Sequence, residues 1–439
     1  MQLPIIHWSD LTASERRDAL RRPAQQDAES LHQRVREIIR DVRTRGDEAV
    51  LEYTHRFDCP TLEALEVDAA EFAAARRTLS SEQLNALERA IGNVHRFHEA
   101  QRSEPIAVET STGVVCEQHY RAIDAVGLYV PAGVAPLPSA AIMVAVPAQI
   151  AGCRTRVICT PPRRDGLADP AVLTVAQLCG VERVFKIGGA QAIAAMAYGT
   201  ATVPKVHKVF GPGNAWVTAA KLSCANDPEG AALDLPAGPS EVLVIADESA
   251  HAEFVAADLL AQAEHSADAQ AILVTTSQPL AGATLRELQA QMHTLGRQGA
   301  LRESILNTRL IVVDSLETAF ELCNDYAPEH LIVQTRTPRT WLSRVRNAGS
   351  VFLGTWTPET MGDYCSGANH VLPTYGFARA YSGLSLMDFT RRMTVQELTA
   401  EGLRDLGPTA ITLAGLEGLD AHANAVQVRL ARLATGRLS

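Results

Sequence analysis

Two adjacent residues have the types needed to move protons. Glu329 and His330 follow Pro328 and lead into the apolar run His330-Leu-Ile-Val-Gln334, so a carboxylate and an imidazole meet at a loop-to-strand junction. Imidazole titrates near neutral pH and a carboxylate can polarise water, which suits proton transfer; taken alone, such a pair is more often a surface turn. A second set has metal-ligand chemistry. Gln262 and His265 lie one turn apart on a predicted helix, Asp363 sits in the predicted loop Pro358-Glu-Thr-Met-Gly-Asp-Tyr364, and His422 precedes the last predicted helix. Nitrogen and oxygen donors of this kind suit Zn²⁺. Spacing alone leaves open the plainer alternative of two exposed helix residues beside an unrelated Asp and His. His95 and His98 are also one turn apart, but with Arg96 and Glu99 interleaved they read as a solvated helix face. The third feature is Gly211-Pro-Gly-Asn-Ala-Trp216, which departs from G-x-G-x-x-G by placing Trp where close packing wants Gly or Ala. Its glycines still fit a tight strand-to-helix turn whose amides face a ligand.

The elements that must position these residues follow from periodicity. The first hundred residues read as helical: Val35, Ile38, Ile39 and Val42 share one face, and Ser80-Ser-Glu-Gln83 is a capping-box signature. From Ala125, short β-branched runs alternate with helical stretches: Val126–Val130, Arg156–Cys159, Val184–Ile187 and Lys208–Phe210. After Leu235-Pro-Ala-Gly-Pro239 the rhythm restarts with Glu241–Ala246, Ala271–Thr275, Leu310–Val313, Leu331–Val333 and Val351–Leu353, and a helix is expected over Arg339–Asn347. Strands with few polar residues, separated by helices, predict parallel sheets covered on both faces. The fold class expected is therefore α/β, with two doubly wound, incomplete Rossmann-like units and small helical terminal segments. The tail from about Ser385 loses the strand rhythm and shows helical segments near Val395–Gly402 and Ala421–Ala434. A neighbouring subunit is a plausible place for it to dock.

Composition narrows the class. The chain has 439 residues, 46% hydrophobic and 21% charged, which is the balance of a globular protein with ample core. Forty basic against fifty acidic residues give a formal charge of −10, a poor footprint for nucleic acid. No basic-then-apolar leader opens the sequence and no apolar run is long enough to span a bilayer, so a cytoplasmic location is expected. The eight cysteines never fall as CxxC and read as reduced, mostly buried thiols. These observations alone reach a cytosolic α/β enzyme or binding protein.

Longer motifs carry the reading further. Val126-Gly-Leu-Tyr-Val-Pro-Ala-Gly133, Ile187-Gly-Gly-Ala-Gln-Ala192, Phe210-Gly-Pro-Gly-Asn-Ala215 and Leu235-Pro-Ala-Gly-Pro-Ser-Glu-Val242 occur in order. They are followed by Gln262-Ala-Glu-His265, Tyr326-Ala-Pro-Glu-His-Leu331, Asn347-Ala-Gly349, Gly362-Asp-Tyr-Cys-Ser-Gly-Ala-Asn-His370, Arg392-Met-Thr-Val-Gln-Glu397 and Glu417-Gly-Leu-Asp-Ala-His422. Together they resemble the histidinol dehydrogenase family over roughly residues 25 to 430.

The resemblance implies an aldehyde-dehydrogenase-like fold and two NAD-dependent oxidations in one site, from L-histidinol through histidinal to L-histidine. It assigns Gln262, His265, Asp363 and His422 as ligands of one zinc ion per subunit, His330 as the base and Glu329 as the carboxylate that activates water. Ser240 and Glu417 match substrate contacts, with His370 a weaker candidate, and the zinc ligands and His330 also face substrate. Tyr129, Gln191 and Asn214 match NAD contacts. The implied organisation is an N-terminal segment over residues 1–24, a main α/β domain from 25–125 with 238–384, an NAD-binding domain over 126–237 and a tail over 385–439. In the family that tail completes the neighbouring site of a homodimer. Trp216 and Ser266 depart from the usual pattern, where another aromatic and Gly are common. Competing readings are a relative acting on another small primary alcohol, a non-catalytic zinc or NAD binder, a hydrolytic zinc enzyme, and a thiol mechanism through Cys116 or Cys153.

Overall fold

The computed structural model describes residues 3–23, 28–132, 136–296 and 298–435. The expected boundary at residue 24 and Gly133 of the first long motif lie outside the described residues. The chain divides into two compact units, one formed by residues 1–101 with 123–389, the other by 102–122 with 390–439.

The larger unit holds two parallel sheets. One has six strands in the order Ile5–His7, Arg309–Val312, Gln270–Thr275, Glu241–Ala246, His330–Gln334 and Ser350–Leu353. Its central strands, Glu241–Ala246, Gln270–Thr275 and His330–Gln334, are buried along their whole length, as apolar strands covered by helices on both faces must be. The second sheet orders Arg183–Lys186, Thr155–Thr160, Ala125–Tyr129, Lys208–Phe210 and Ala232–Leu233. The helix Pro138–Ala151 beside it is apolar nearly all round and buried, starts with Pro in its first turn, and stops at Gly152 in the left-handed conformation. The α/β class with parallel sheets is as the periodicity implied.

The smaller unit is built differently. Its antiparallel sheet orders Thr390–Leu398, Val114–Ala122 and Ile106–Ser111. The helices Ala400–Leu416 and Asp420–Ala434 form an antiparallel pair joined at Gly418, whose φ is +71°.

Several local expectations are corrected. Ile5–His7 is a strand within the stretch read as helical, held by parallel pairing to Leu310–Val312. Residues 395–398 belong to a strand rather than a helix; the segment Arg391–Leu398 gains a full ladder on Val114–Arg121 that outweighs its weak helical pattern. Pro338–Arg344 is a 3₁₀ helix rather than an α-helix over Arg339–Asn347. His98 is not on a solvated face: it is fully buried, its Nδ1 donates to the Val94 carbonyl at 2.8 Å, and its Nε2 faces Asn369 Nδ2 at 3.3 Å. Among the described residues no helix is long and apolar enough to cross a membrane.

Candidate active site

The Glu329–His330 pair sits at the amino end of the six-stranded sheet. The helix Leu316–Tyr326 is ended by Ala327 in the left-handed region (φ +53°), an uncommon conformation for a residue with a Cβ, and Pro328 then turns the chain into the strand. Gly349 allows the next strand to approach: a Cβ there would lie 2.6 Å from the Glu329 carbonyl oxygen. Both side chains are buried, with His330 4% and Glu329 5% exposed. The pair is therefore no surface turn. His330 Nδ1 donates to the Glu241 carbonyl oxygen at 3.1 Å, and the Glu241 amide donates to Glu329 Oε2 at 2.8 Å. His330 Nε2 has no hydrogen bond but lies 3.4 Å from Asp363 Oδ1, in ion-pair range. Burial pushes the Glu329 carboxyl up to about 7, against the pull of His330. Burial disfavours charge on His330, yet Glu329 and Asp363 outweigh it and move the imidazole up.

Asp363 lies on a short helix, Glu359–Tyr364, rather than in a loop. Burial acts to raise its carboxyl, but His330 overrides that and holds it below the usual range. His370 Nδ1 donates to the Asp363 carbonyl at 2.6 Å. Gln262 lies in the last turn of the helix Ala252–Ala263, and His265 lies just beyond the helix end, exposed, with Nδ1 donating to the Ala261 carbonyl at 3.0 Å. That bond leaves His265 Nε2 as the donor atom for a ligand. Gln262 is 0% exposed, and neither its Oε1 nor its Nε2 has a partner. A buried amide without partners is costly and implies a group that completes it. Gln262, His265 and Asp363 thus fit a cation chemically. Among the described residues no three His, Cys, Asp or Glu side chains converge as a complete metal site. Glu417 and His422 belong to the smaller unit, where they flank the turn at Gly418; both are exposed, and His422 lies in the first turn of the helix Asp420–Ala434 rather than before it.

Ser240, Glu329 and His370 line one small cavity of about 100 Å³, together with Gly211, Pro212 and Gly213. The same glycine-rich turn reaches a larger cavity of about 620 Å³ at the carboxyl ends of the five-stranded sheet, lined by Tyr129, Gln191, Asn214, Trp216, His265 and Ser266, among others. The structure thus brings the three expected NAD contacts together beside His265. Gly211 has φ +120°, and a Cβ there would meet the Tyr129 carbonyl oxygen at 2.0 Å, so only glycine lets this turn lie against the strand. Asn214 caps the helix Ala215–Ala225, its Oδ1 accepting from the Trp216 and Val217 amides at 3.1 and 3.2 Å. The buried Tyr129 hydroxyl accepts from the Gly189 amide at 3.1 Å.

Four residues in and around these cavities escape sequence reasoning. Asp58 lines the large cavity, is contacted by Gln191 Nε2 at 3.4 Å, and is pushed up to about 6 by burial. Glu359 is 1% exposed with both carboxylate oxygens unpartnered, and burial raises it well above the usual range. Glu241 and Arg22 form a buried ion pair. The Pro-Ser-Glu motif contains Glu241, but nothing in it announces a bond to Arg22 from 219 residues away. All eight cysteines are free and six are buried; Cys153 is raised to about 11 by burial, which suits an inert thiol.

The comparisons with known proteins agree over nearly the whole chain. The profile of the histidinol dehydrogenase family matches residues 20–430. The chain belongs to the histidinol dehydrogenase family. A curated histidinol dehydrogenase from Xanthomonas oryzae pv. oryzae is 55% identical over 428 residues, covering 98% of this chain and 99% of the relative. One from Vibrio parahaemolyticus is 51% identical over 432 residues, with 98% and 99% covered. Among solved structures, the histidinol dehydrogenase of Elizabethkingia anophelis superposes with a TM-score of 0.94 at 42% identity, covering 99% of each chain. The family resemblance carried by the motifs is therefore borne out at the level of fold and family.

Proposed function

We propose that this histidinol dehydrogenase family member oxidises L-histidinol to L-histidine in two NAD-dependent steps through histidinal, the last steps of histidine biosynthesis, in the cytoplasm. The observation that carries the reading is the buried pair: Nδ1–H of His330 is held by a carbonyl, so Nε2 is the nitrogen left to exchange protons, beside Glu329. In the first step His330 Nε2 takes the hydroxyl proton of the alcohol while hydride passes to NAD, giving aldehyde and NADH. Glu329, poised near neutral pH, takes a proton from water as it adds to the aldehyde, while His330 returns the alcohol proton to the aldehyde oxygen, giving the hydrate and a neutral imidazole. His330 then takes a proton from the hydrate as a second hydride passes to a second NAD. Burial of both residues keeps bulk water from the pair.

Gln262, His265 and Asp363, with His422 from a second copy, would hold one Zn²⁺. When bound, the ion supplies an anchor for the imidazole and amine of the substrate. Support comes from the unpartnered Gln262 amide and from the cluster of carboxylates, Glu329, Glu359 and Asp363, around His330. Ser240, Glu417 and His370 would contact substrate, and Tyr129, Gln191 and Asn214 the NAD. A homodimer is supported by the tail helices, where Leu413, Leu416 and Val428 are 55%, 80% and 52% exposed in the single chain. Glu417 and His422 would then complete the partner's site.

The pair is tested by substitution. H330N is expected to lose both oxidations by about 10²-fold or more, whereas E329Q spares alcohol oxidation and loses the oxidation of supplied histidinal. Full activity in H330N on both substrates contradicts the reading.

A further inference from the structure

Arg22 has no assigned role and lies far in sequence from the catalytic pair. Its guanidinium grips Glu241 with two bonds, Nε to Oε1 at 2.5 Å and Nη2 to Oε2 at 2.9 Å. The same Nη2 donates to the Tyr326 carbonyl at 2.8 Å, and the guanidinium carbon stacks 4.0 Å from the Tyr326 ring centre. Tyr326 is the last residue of the helix that delivers Ala327-Pro-Glu-His, whereas Glu241 is the first residue of the neighbouring strand. One side chain therefore joins the two segments whose alignment sets the pair. The Glu241 peptide is the other half of the device. Its N–H holds Glu329 and its C=O holds His330. Its carboxylate cannot drift, since Oε1 also accepts from the Tyr375 amide at 2.7 Å.

We infer that Arg22 is a positioning residue, clamping Glu241 and Tyr326 so that the Glu241 peptide aims Glu329 and His330. The inference rests on the proposed acid–base roles of that pair. The side chains are 14% and 2% exposed, so the contact is largely desolvated and its geometry is fixed rather than averaged. Lysine carries the charge but cannot form the planar two-point grip or the ring stack. Misplacement of a reacting group by an ångström is enough to cost about two orders of magnitude in rate.

The test compares R22K and the double variant R22M/E241Q with wild type and H330N. The double variant removes both charges, since leaving Glu241 alone in the interior could unfold the chain. For each folded enzyme, checked by circular dichroism and melting, kcat, KM for NAD and the deuterium isotope effect on histidinol carrying deuterium at the hydroxymethyl carbon are measured. The expected result is kcat lowered roughly tenfold to a hundredfold, KM for NAD within about twofold of wild type, and a larger isotope effect as hydride transfer becomes limiting. Wild-type kcat and isotope effect in both folded variants, even with lower melting temperatures, would make the contact merely structural and overturn the inference. Full activity in H330N would instead sink the acid–base reading beneath it.

Discussion

His330 Nδ1 lies 3.1 Å from the carbonyl oxygen of Glu241. A carbonyl only accepts, so Nδ1 carries a proton, and the nitrogen left to exchange protons is Nε2. That nitrogen has no hydrogen-bond partner and stands 3.4 Å from Asp363 Oδ1. A backbone group thus sets which nitrogen the proposed proton transfers would use, and no substitution of the Glu241 side chain removes it directly.

Metal binding is expected to depend on the buried Gln262 amide. Purified Q262A should retain its fold but lose most of its zinc by elemental analysis after dialysis, and Q262E should recover a good part of it, because a carboxylate oxygen can replace the amide oxygen. Equal zinc content in Q262A and wild type would remove Gln262 from the proposed ligand set.

The tail is tested by mixing two inactive copies. H330N and H422N proteins are each expected to be inactive; unfolded and refolded together, they should recover about a quarter of wild-type activity, because half of a random mixture is heterodimer and each heterodimer has one intact site. No recovery, with dimers confirmed by size, would mean that His422 serves its own chain.

Asp58 links stability to pH. Its folded-state carboxyl is raised from 3.8 to about 6, chiefly by burial. The folded state then holds the proton more tightly than the unfolded one, so stability is lost as pH rises from about 4 to about 6. D58N removes this contribution. Its melting temperature should fall less than that of wild type over that interval, and parallel curves would show that Asp58 titrates normally.

Much of the larger unit was legible because its strands are buried on both faces. Val242–Ala246 and Leu331–Val333 are continuous apolar runs rich in Val and Ile, and the observed strands Glu241–Ala246 and His330–Gln334 differ from them by a residue or less at each end. Short or half-exposed elements left no such mark. Ile5–His7 is only three residues and owes its extension to pairing with residues 310–312, while Thr390–Leu398 is almost wholly exposed and lacks an apolar face. The pair Glu329–His330 could be picked out because the two are adjacent. Asp58, Glu359 and the Arg22–Glu241 contact could not, since each gains meaning only from burial or from a partner far along the chain. His98 illustrates the converse error: polar neighbours in sequence suggested water, but Asn369 and the Val94 carbonyl satisfy it inside the core.

The most direct measurement is the number of NADH molecules formed per molecule of L-histidinol consumed, with and without prior chelation. Two NADH per histidinol, abolished by chelator and restored by zinc, is the expected result. One NADH with release of histidinal, or turnover indifferent to chelation, would contradict a single zinc-anchored site in which Glu329 and His330 carry out both oxidations.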